Sequence, residues 1–287
     1  MTFLQVAVLA IVQGLAELLP VSSSAHVVVA EKLMGLDPSA PAMTLLLVML
    51  HTGTMFAVIV YFWRRWRATY FASMAQFKRT ALQVIVATAL TGIIGEGLKI
   101  LIEKSAFPGV PGAQIEDLFS HLEWIAPALA AGGILILVAG LRERRAVAQN
   151  PDGAMTTRQA GIIGAVQGLT LPFRGFSRSG STISAGMLSG VAKAAAENFS
   201  FALAVVLTPA VDVRETLRLV RAEHAGGAAS LASAVVPSLI GAVLAFVAGL
   251  VALRWLSGWL ENGRWYLFGI YCLVAAAVVG SLYFAGY

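Results

Sequence analysis

Residues 13–26 read QGLAELLPVSSSAH and residues 167–182 read QGLTLPFRGFSRSGST, in a chain that is otherwise mostly apolar. Both segments open with QGL and continue through a proline into hydroxyl-rich sequence. The first contributes a carboxylate and an imidazole, and the second contributes guanidinium groups and a Ser-Arg-Ser followed by glycine. Polar groups at membrane depth are costly unless they pair or line a wet cavity. The two segments are therefore the candidate functional site.

The composition indicates an integral membrane protein. Of the 287 residues, 58% are hydrophobic and 12% are charged, and the mean hydropathy is +0.80. Such a chain is too apolar to be a soluble domain. Apolar segments of about 20 residues can cross a bilayer. We expect an all-α polytopic protein with six transmembrane helices, at 43–63, 80–102, 124–141, 199–213, 230–253 and 265–287, of which the fourth is the shortest.

The basic residues indicate an orientation and not a nucleic-acid partner. The net charge is +5, but the arginines stand at the ends of apolar runs, as in residues 63–67 and 141–145. Placing the loops after the first and third spans in the cytoplasm puts eleven basic residues inside and five outside. The positive-inside rule favours that orientation. The single cysteine, Cys272, excludes a disulfide or a cysteine-based metal site within one chain.

Residues 1–40 and 159–195 are too interrupted to form single spans. Each fits a helix–break–helix hairpin that enters and leaves the membrane on the same side. With three spans after each hairpin, the first hairpin opens outside and the second inside. We therefore expect one membrane domain, 1–287, built as an inverted-topology repeat, with repeat 1 at about 1–145 and repeat 2 at about 155–287. The alternative is that QGL recurs by chance.

The second break is suited to binding an oxyanion. A broken helix leaves free backbone N–H groups at the start of its second half, where the helix dipole also favours negative charge. Ser177, Ser179 and Gly180 fit such an anion cradle. Arg178 adds a planar fork of donors that suits phosphate. The P-loop pattern is absent from the sequence, so ordinary nucleotide binding is not indicated.

The first break supplies the reactive groups. Glu17 and Gln13 are four residues apart and share one helix face, and His26 lies beyond the break. A carboxylate, an imidazole and hydroxyls beside an anion cradle are the parts of a phosphoryl-transfer site. Glu17 is also a candidate ligand for a divalent cation, Mg²⁺ or Ca²⁺, through oxygen.

Structural interpretations of the same residues stay open. Glu17 would then be only the counter-ion of Arg178, and His26 a buried histidine with its hydrogen bonds satisfied. Ser22, Ser23 and Ser24 would cap a helix. Gln13 would pack between helices, and Arg174 would contact a lipid headgroup. His51 stands alone in an apolar span, and lining a cavity and bonding a neighbouring helix explain it equally. Glu197 follows the second hairpin and is a candidate to turn inward.

At these motifs the chain resembles the bacterial undecaprenyl pyrophosphate phosphatases, the bacitracin-resistance family. The resemblance runs nearly end to end. It comprises the Gln-x-x-x-Glu with Pro-Val-Ser-Ser-Ser-Ala-His of residues 13–26, Phe62-Trp63-Arg64-Arg65, Ser177-Arg178-Ser179-Gly180 with Thr182-Ile183, and residues 197–201. The resemblance implies removal of the terminal phosphate of a polyprenyl diphosphate at the outer face of the bacterial cytoplasmic membrane. That reaction recycles the lipid carrier for peptidoglycan synthesis.

The resemblance also implies roles for individual residues. Glu17 would act in acid–base or metal chemistry, and Ser23 or His26 would be the nucleophile or position it. Arg178 would be catalytic, and the diphosphate would be bound by the remaining polar residues of the two breaks, namely Gln13, Ser22, Ser24, Arg174, Ser177, Ser179, Gly180 and Thr182.

The sequence departs from the family pattern at two places. The family often has Glu where Gln13 stands, so a second acidic group is missing and a metal held by two carboxylates is in doubt. The family's Pro-Gly is replaced by Pro172-Phe173-Arg174-Gly175, which adds a residue and a cation. An extra phosphate contact and an altered loop shape are both consistent with that change.

Three functions compete. The leading hypothesis is a lipid diphosphate phosphatase, with membrane lipids and a polyprenyl diphosphate as partners and a homodimer as the expected assembly. A flippase or transporter for a phosphorylated polyprenyl lipid is the alternative that the repeat alone would suggest. A structural scaffold leaves the two matched polar breaks unexplained.

Overall fold

The computed structural model describes residues 1–106, 121–149, 155–224, 232–261 and 264–287. The regular elements in these ranges are all α-helices. In chain order they are α1 (Phe3–Ala16), α2 (Ser23–Leu33), α3 (Pro41–Thr69), α4 (Met74–Ala106), α5 (Leu122–Gln149), α6 (Thr157–Thr170), α7 (Arg178–Leu188), α8 (Lys193–His224), α9 (Ala232–Glu261) and α10 (Trp265–Phe284).

Six of these helices are long and apolar enough to cross a membrane. They are α3, α4, α5, α8, α9 and α10, and they coincide with the six predicted spans. The prediction of an all-α polytopic protein with six spans is therefore confirmed. The fourth span extends beyond both ends of the predicted 199–213, since the apolar part of α8, which contains Pro209, covers Lys193–Leu217. A membrane helix tolerates a proline because neighbouring helices can bond the backbone groups that the proline leaves free.

The other four helices form two pairs of matching length. Helices α1 and α6 have 14 residues each, and α2 and α7 have 11 each. At about 1.5 Å per residue, a 14-residue helix spans about 21 Å, which is short of a hydrocarbon core of about 30 Å. Both longer members begin with the same capping box, Thr2 with Gln5 in α1 and Thr156 with Gln159 in α6. The predicted junction of the two repeats, near 145–155, lies partly outside the described residues.

The glycine of each QGL motif allows a close helix contact. A Cβ on Gly14 would lie 2.5 Å from the Ala248 Cβ of α9, and a Cβ on Gly168 would lie 2.8 Å from the Thr91 carbonyl oxygen of α4. Helix α1 packs on α9, as α6 packs on α4. Glycine is thus needed in both motifs because backbones approach too closely for a side chain.

Packing also brings the two breaks together. A Cβ on Gly180, at the start of α7, would lie 3.0 Å from the Pro20 carbonyl oxygen. The Ser179 hydroxyl donates to the Leu19 carbonyl at 3.4 Å. The Cys272 thiol of α10 lies 3.6 Å from the same Pro20 oxygen and covers it from another side. The segment between α1 and α2 is therefore held directly against the first turn of α7.

Candidate active site

An ion pair joins the two breaks. Glu17 is the C-cap of α1, Arg178 is the first residue of α7, and the Arg178 Nη2 donates to Glu17 Oε1. The side chains are 12% and 21% exposed, so the pair is shielded from the surroundings. The proximity of these two residues agrees with the sequence-based expectation. The second guanidinium nitrogen of Arg178, Nη1, is buried and has no hydrogen-bond partner.

The other oxygen of Glu17 collects three further contacts. The Ser23 hydroxyl donates to Glu17 Oε2, and the Gln13 Nε2 donates to the same oxygen at 3.1 Å. The His51 Nε2 of α3 lies 3.6 Å away. Residues of three helices therefore fix the carboxylate while it accepts a hydrogen bond from a serine hydroxyl.

His51 presents one particular nitrogen to this carboxylate. Its Nδ1 lies 2.8 Å from the Leu47 carbonyl oxygen, which can only accept, so Nδ1 carries a proton. The other nitrogen, Nε2, is the one that faces Glu17. His51 also lines the cavity described below, and its Nδ1 contacts a carbonyl of its own helix and not one of a neighbouring helix.

The segment before Ser23 has an unusual backbone. Ser22 has φ 68° and ψ 87°, the left-handed region, and it is the only non-glycine residue with positive φ in the described ranges. Ser22 is the N-cap of α2, but its side chain makes no capping hydrogen bond. Its hydroxyl lies 3.4 Å from that of Ser24. Simple helix capping therefore does not explain Ser22.

The second break is ordered by its own hydroxyl groups. The Ser177 hydroxyl caps α7 by accepting from the Gly180 N–H at 3.2 Å. The Thr182 hydroxyl lies 2.8 Å from the Arg178 carbonyl oxygen and 2.6 Å from the Ser200 hydroxyl of α8. Thr182 is fully buried, so the structure places it behind the cradle, where it ties α7 to α8.

A cavity of about 420 Å³ lies over the two breaks. Residues of α3 and α8 form its other walls. The polar side chains that line it are Glu17, Ser22, Ser23, Ser24, Ser39, Thr44, His51, Thr170, Arg174, Ser177, Arg178, Ser179, Thr208, Asp212 and Glu215. The apolar side chains include Leu47, Val48, Phe173, Phe176, Leu207 and Val211. A charged floor with an apolar flank suits an amphipathic ligand that carries an anionic headgroup.

Eight of the twelve predicted site residues line this cavity, and four do not. The four outside the lining are Gln13, His26, Gly180 and Thr182. Gln13 acts on the lining through Glu17, and Gly180 provides the close approach of the two breaks. His26 contacts the Ser22 carbonyl and Tyr271 instead. Arg174 lies in the lining, which favours a cavity role over a lipid contact.

Sequence reasoning missed three residues around the site. Asp212 accepts a hydrogen bond of 3.0 Å from Thr52 and lines the cavity beside His51. Glu215 lies one helical turn further along α8. Tyr271 lies on α10, far away in sequence, and no motif marks it. The spacing of Asp212 and Glu215 was the available signal, since acidic residues near the end of an apolar span point to a polar surface.

A carboxylate at the edge of the cavity is held ionised. The Ser39 hydroxyl and the Ser39 N–H donate to Asp37 Oδ1 at 2.6 and 2.9 Å. These hydrogen bonds hold the pKa of the Asp37 carboxyl below its usual range, the hydroxyl more than the N–H. The segment between α2 and α3 therefore carries a negative charge next to the cavity lining at Ser39.

The residues around Glu17 offer few ligands for a metal ion. In the described ranges no group of three or more His, Cys, Asp or Glu side chains is arranged to bind one. Gln13 has a buried Oε1 without a partner, which is a neutral oxygen donor beside the single carboxylate. Mg²⁺ commonly uses one or two carboxylates and takes its remaining ligands from substrate phosphates and water. Of these two groups Glu17 lines the cavity and Gln13 does not, so a cation there would take most of its ligands from elsewhere.

Comparison with known proteins agrees with this architecture. Undecaprenyl-diphosphatase 2 of Acinetobacter baylyi is 58% identical over 285 residues, which cover 98% of each chain. Undecaprenyl-diphosphatase 2 of Burkholderia thailandensis and undecaprenyl-diphosphatase 1 of Burkholderia pseudomallei are each 36% identical over 278 residues, covering 93% of this chain and 92% of theirs. The profile of the family described as Bacitracin resistance protein BacA matches residues 6–278. Because that match covers most of the chain and includes both breaks, the chain belongs to the Bacitracin resistance protein BacA family.

Proposed function

We propose that this protein hydrolyses undecaprenyl diphosphate to undecaprenyl phosphate and inorganic phosphate. The family and the names of the full-length relatives support the reaction. The observation that carries the proposal is that a serine hydroxyl, its carboxylate acceptor and an arginine meet on the floor of one cavity. The apolar flank of that cavity suits the prenyl chain, and its floor suits the headgroup.

Ser23 is the proposed nucleophile and Glu17 its base. A nucleophile and a base within hydrogen-bond reach, with a third group orienting the base, are the usual arrangement for covalent catalysis. Ser23 Oγ attacks the terminal phosphorus, its proton passes to Glu17, and the anhydride bond breaks. Glu17 gives that proton to the departing undecaprenyl phosphate and is a carboxylate again. Water then attacks the phosphoserine and gives a proton to Glu17, which passes it to Ser23 Oγ as the serine–phosphorus bond breaks and phosphate leaves.

Arg178 and the start of α7 are the proposed phosphate site. The Nη1 of Arg178 has no hydrogen-bond partner and can donate to a bound phosphate. The helix dipole at the N-terminus of α7 favours the same negative charge. Ser177, Ser179 and Arg174 line the cavity around it. Charge developing on the transferred phosphoryl group would be stabilised there without rearrangement of the protein.

A divalent cation is part of the proposal only as a companion of the substrate. Glu17, which lines the cavity, is the residue that would hold it. Such an ion neutralises diphosphate charge when it is bound.

We infer that α1 with α2, and α6 with α7, are re-entrant hairpins in an inverted repeat. The matching helix lengths, the matching capping boxes and the equivalent packing of α1 on α9 and α6 on α4 support this topology. The charge distribution supports an active site that faces the outside of the bacterial inner membrane. There the reaction recycles the lipid carrier for cell-wall synthesis, consistent with bacitracin resistance. A homodimer belongs to the same proposal.

Phosphate release by purified protein in detergent tests the reaction, with an Arg178→Ala variant as the probe. Loss of a charged donor that acts on the transition state costs about 10²- to 10³-fold in kcat. We expect a loss of that size, with only partial recovery in Arg178→Lys because an ammonium lacks the planar fork. Arg142→Ala, at an exposed position where the apolar part of α5 ends, is the matched control. Unchanged turnover in Arg178→Ala would contradict the assigned site, and movement of intact lipid without phosphate release would contradict the reaction.

A further inference from the structure

The left-handed backbone of Ser22 is held by His26. The Ser22 carbonyl oxygen lies 3.4 Å from the His26 N–H and 2.7 Å from the His26 Nδ1. Serine in this conformation is strained and persists only where the surroundings impose it. Two donors from one residue, both aimed at the carbonyl of the strained residue, are such a constraint.

The same contact fixes the tautomer of His26. A carbonyl oxygen can only accept, so the proton must be on Nδ1. In neutral His26 the Nε2 is then an acceptor, and the Tyr271 hydroxyl lies 2.7 Å from it. The Tyr271 O–H therefore donates to His26, and His26 donates to Ser22. Both ring nitrogens are engaged, and His26 is outside the lining of the active-site cavity.

Tyr271 approaches from a helix that contributes nothing to that cavity. It lies on α10, and its ring stacks on His26 with centroids 5.6 Å apart and planes 14° apart. The Tyr271 side chain is 48% exposed, on a face that the proposed topology turns toward lipid. A hydroxyl there needs a hydrogen-bond partner within the protein, because lipid offers none. His26 is that partner.

The residue that follows the strained position is the proposed nucleophile. Ser23 begins α2, and the Ser22 dihedral angles decide where its hydroxyl points. That hydroxyl meets Glu17 Oε2, so a small rotation at Ser22 would separate nucleophile from base. A displacement of this kind reduces turnover more than substrate binding, because the phosphate site lies on the other break.

We propose that Tyr271 is a positioning residue, which acts through His26 to hold Ser22 left-handed and so aim the Ser23 hydroxyl at Glu17. In this assignment His26 stabilises the Ser22 backbone through its hydrogen bond and transfers no proton. The inference rests on the proposed function, since it concerns the orientation of the nucleophile of that reaction.

Tyr271→Phe removes only the hydroxyl and retains the stacked ring. The free energy of one neutral hydrogen bond corresponds to roughly a two- to tenfold change in a rate or equilibrium constant. We expect kcat to fall by that factor while KM stays within twofold. The control is Tyr283→Phe on the same helix, where the ring packs on Phe284 away from the breaks. Thermal unfolding in detergent should be equal for the two variants, so that a kcat difference reports positioning.

His26→Asn distinguishes a structural role of His26 from a role as acid–base catalyst. The asparagine amide nitrogen occupies nearly the position of Nδ1 and can donate to the Ser22 carbonyl, but it cannot transfer a proton at neutral pH. We expect His26→Asn to keep activity within about tenfold of wild type and His26→Ala to lose more. A general acid–base residue would instead lose about 10²- to 10⁴-fold in both variants.

The two substitutions should not add. In the His26→Asn background Nε2 is gone, so Tyr271→Phe should have no further effect on kcat. Wild-type kcat in Tyr271→Phe, or an inactive but folded His26→Asn, would overturn the inference. A wild-type protein that releases no phosphate would contradict the proposed function and this inference with it, whereas an active wild type with an equally active Tyr271→Phe contradicts the inference alone.

Discussion

Each carboxylate oxygen of Glu17 meets a different chemical group. Oε1 faces the guanidinium of Arg178, which keeps the carboxylate charged, and Oε2 accepts from the Ser23 hydroxyl. Gln13 and His51 then limit the rotation of the carboxylate from two further sides. One acidic residue thus contacts both a guanidinium and a serine hydroxyl, as its proposed role as base requires.

Ser23→Ala tests whether this hydroxyl attacks phosphorus. We expect turnover to fall to the level of the blank, because no other group on the first break would form the covalent intermediate. Wild-type protein quenched in acid after mixing with substrate labelled in the terminal phosphate should carry label on Ser23. Mass spectrometry of the digested protein locates it.

Ser281→Ala is the control for that measurement, because its hydroxyl bonds only its own helix at the far end of α10. Substantial phosphate release by Ser23→Ala would show that Glu17 activates water directly, and the covalent route would be wrong.

At the scale of the elements, the site exists because two helix breaks touch. The first residues of α7 lie against the carbonyl groups of Leu19 and Pro20, and glycine at position 180 leaves room for that approach. A Cβ there would also lie 2.6 Å from Ile136 Cδ1 and 3.0 Å from Ser177 Oγ. A substitution at Gly180 can therefore push the two breaks apart while every reactive side chain is retained.

Gly180→Ala should therefore lower both stability and activity. Overpacking of this kind typically costs about 1–3 kcal/mol, and the strain falls on the contact between Glu17 and Arg178. We expect a lower unfolding temperature in detergent and a kcat reduced by more than tenfold. Gly92→Ala is the matched control, because a Cβ there meets nothing within 4 Å. Equal behaviour of the two variants would show that the approach of the breaks is not tight.

The breaks and the spans were predictable because their signals are local. Pro20 and Pro172 with the neighbouring hydroxyls mark the breaks, and long apolar runs mark the spans. The extent of α8 was not predictable from the apolar run alone, since the predicted span covered 199–213 and the helix covers Lys193–His224. Which face of an apolar span meets the cavity was also hidden, because lipid and protein interior select the same side chains. Asp212 and Tyr271 were unassigned for that reason, and His51 kept two equal interpretations.

At the scale of the whole molecule, the proposed topology places equivalent elements on opposite sides of the membrane. Residue 39 ends the first hairpin region and residue 158 begins the second. The inverted repeat requires the first to be outside and the second inside. Both positions are exposed in the fold, so chemical labelling can reach them.

Single-cysteine variants test this arrangement in a Cys272→Ser background. With a membrane-impermeant maleimide added to spheroplasts, we expect Ser39→Cys to react at once. Arg158→Cys should react only after permeabilisation. Ala72→Cys, in the exposed connection between α3 and α4, is the internal reference and should behave as Arg158→Cys does. Labelling of residues 39 and 158 from the same side would contradict the inversion.

The glycine contacts of α9 have a mechanical consequence. A methyl group at Gly53 would sit 2.1 Å from the Ala242 carbonyl oxygen, and one at Gly14 would sit 2.5 Å from the Ala248 Cβ. Helices that interlock without clearance cannot slide along one another without first moving apart. The cavity wall that α3 forms is therefore held fixed against α9.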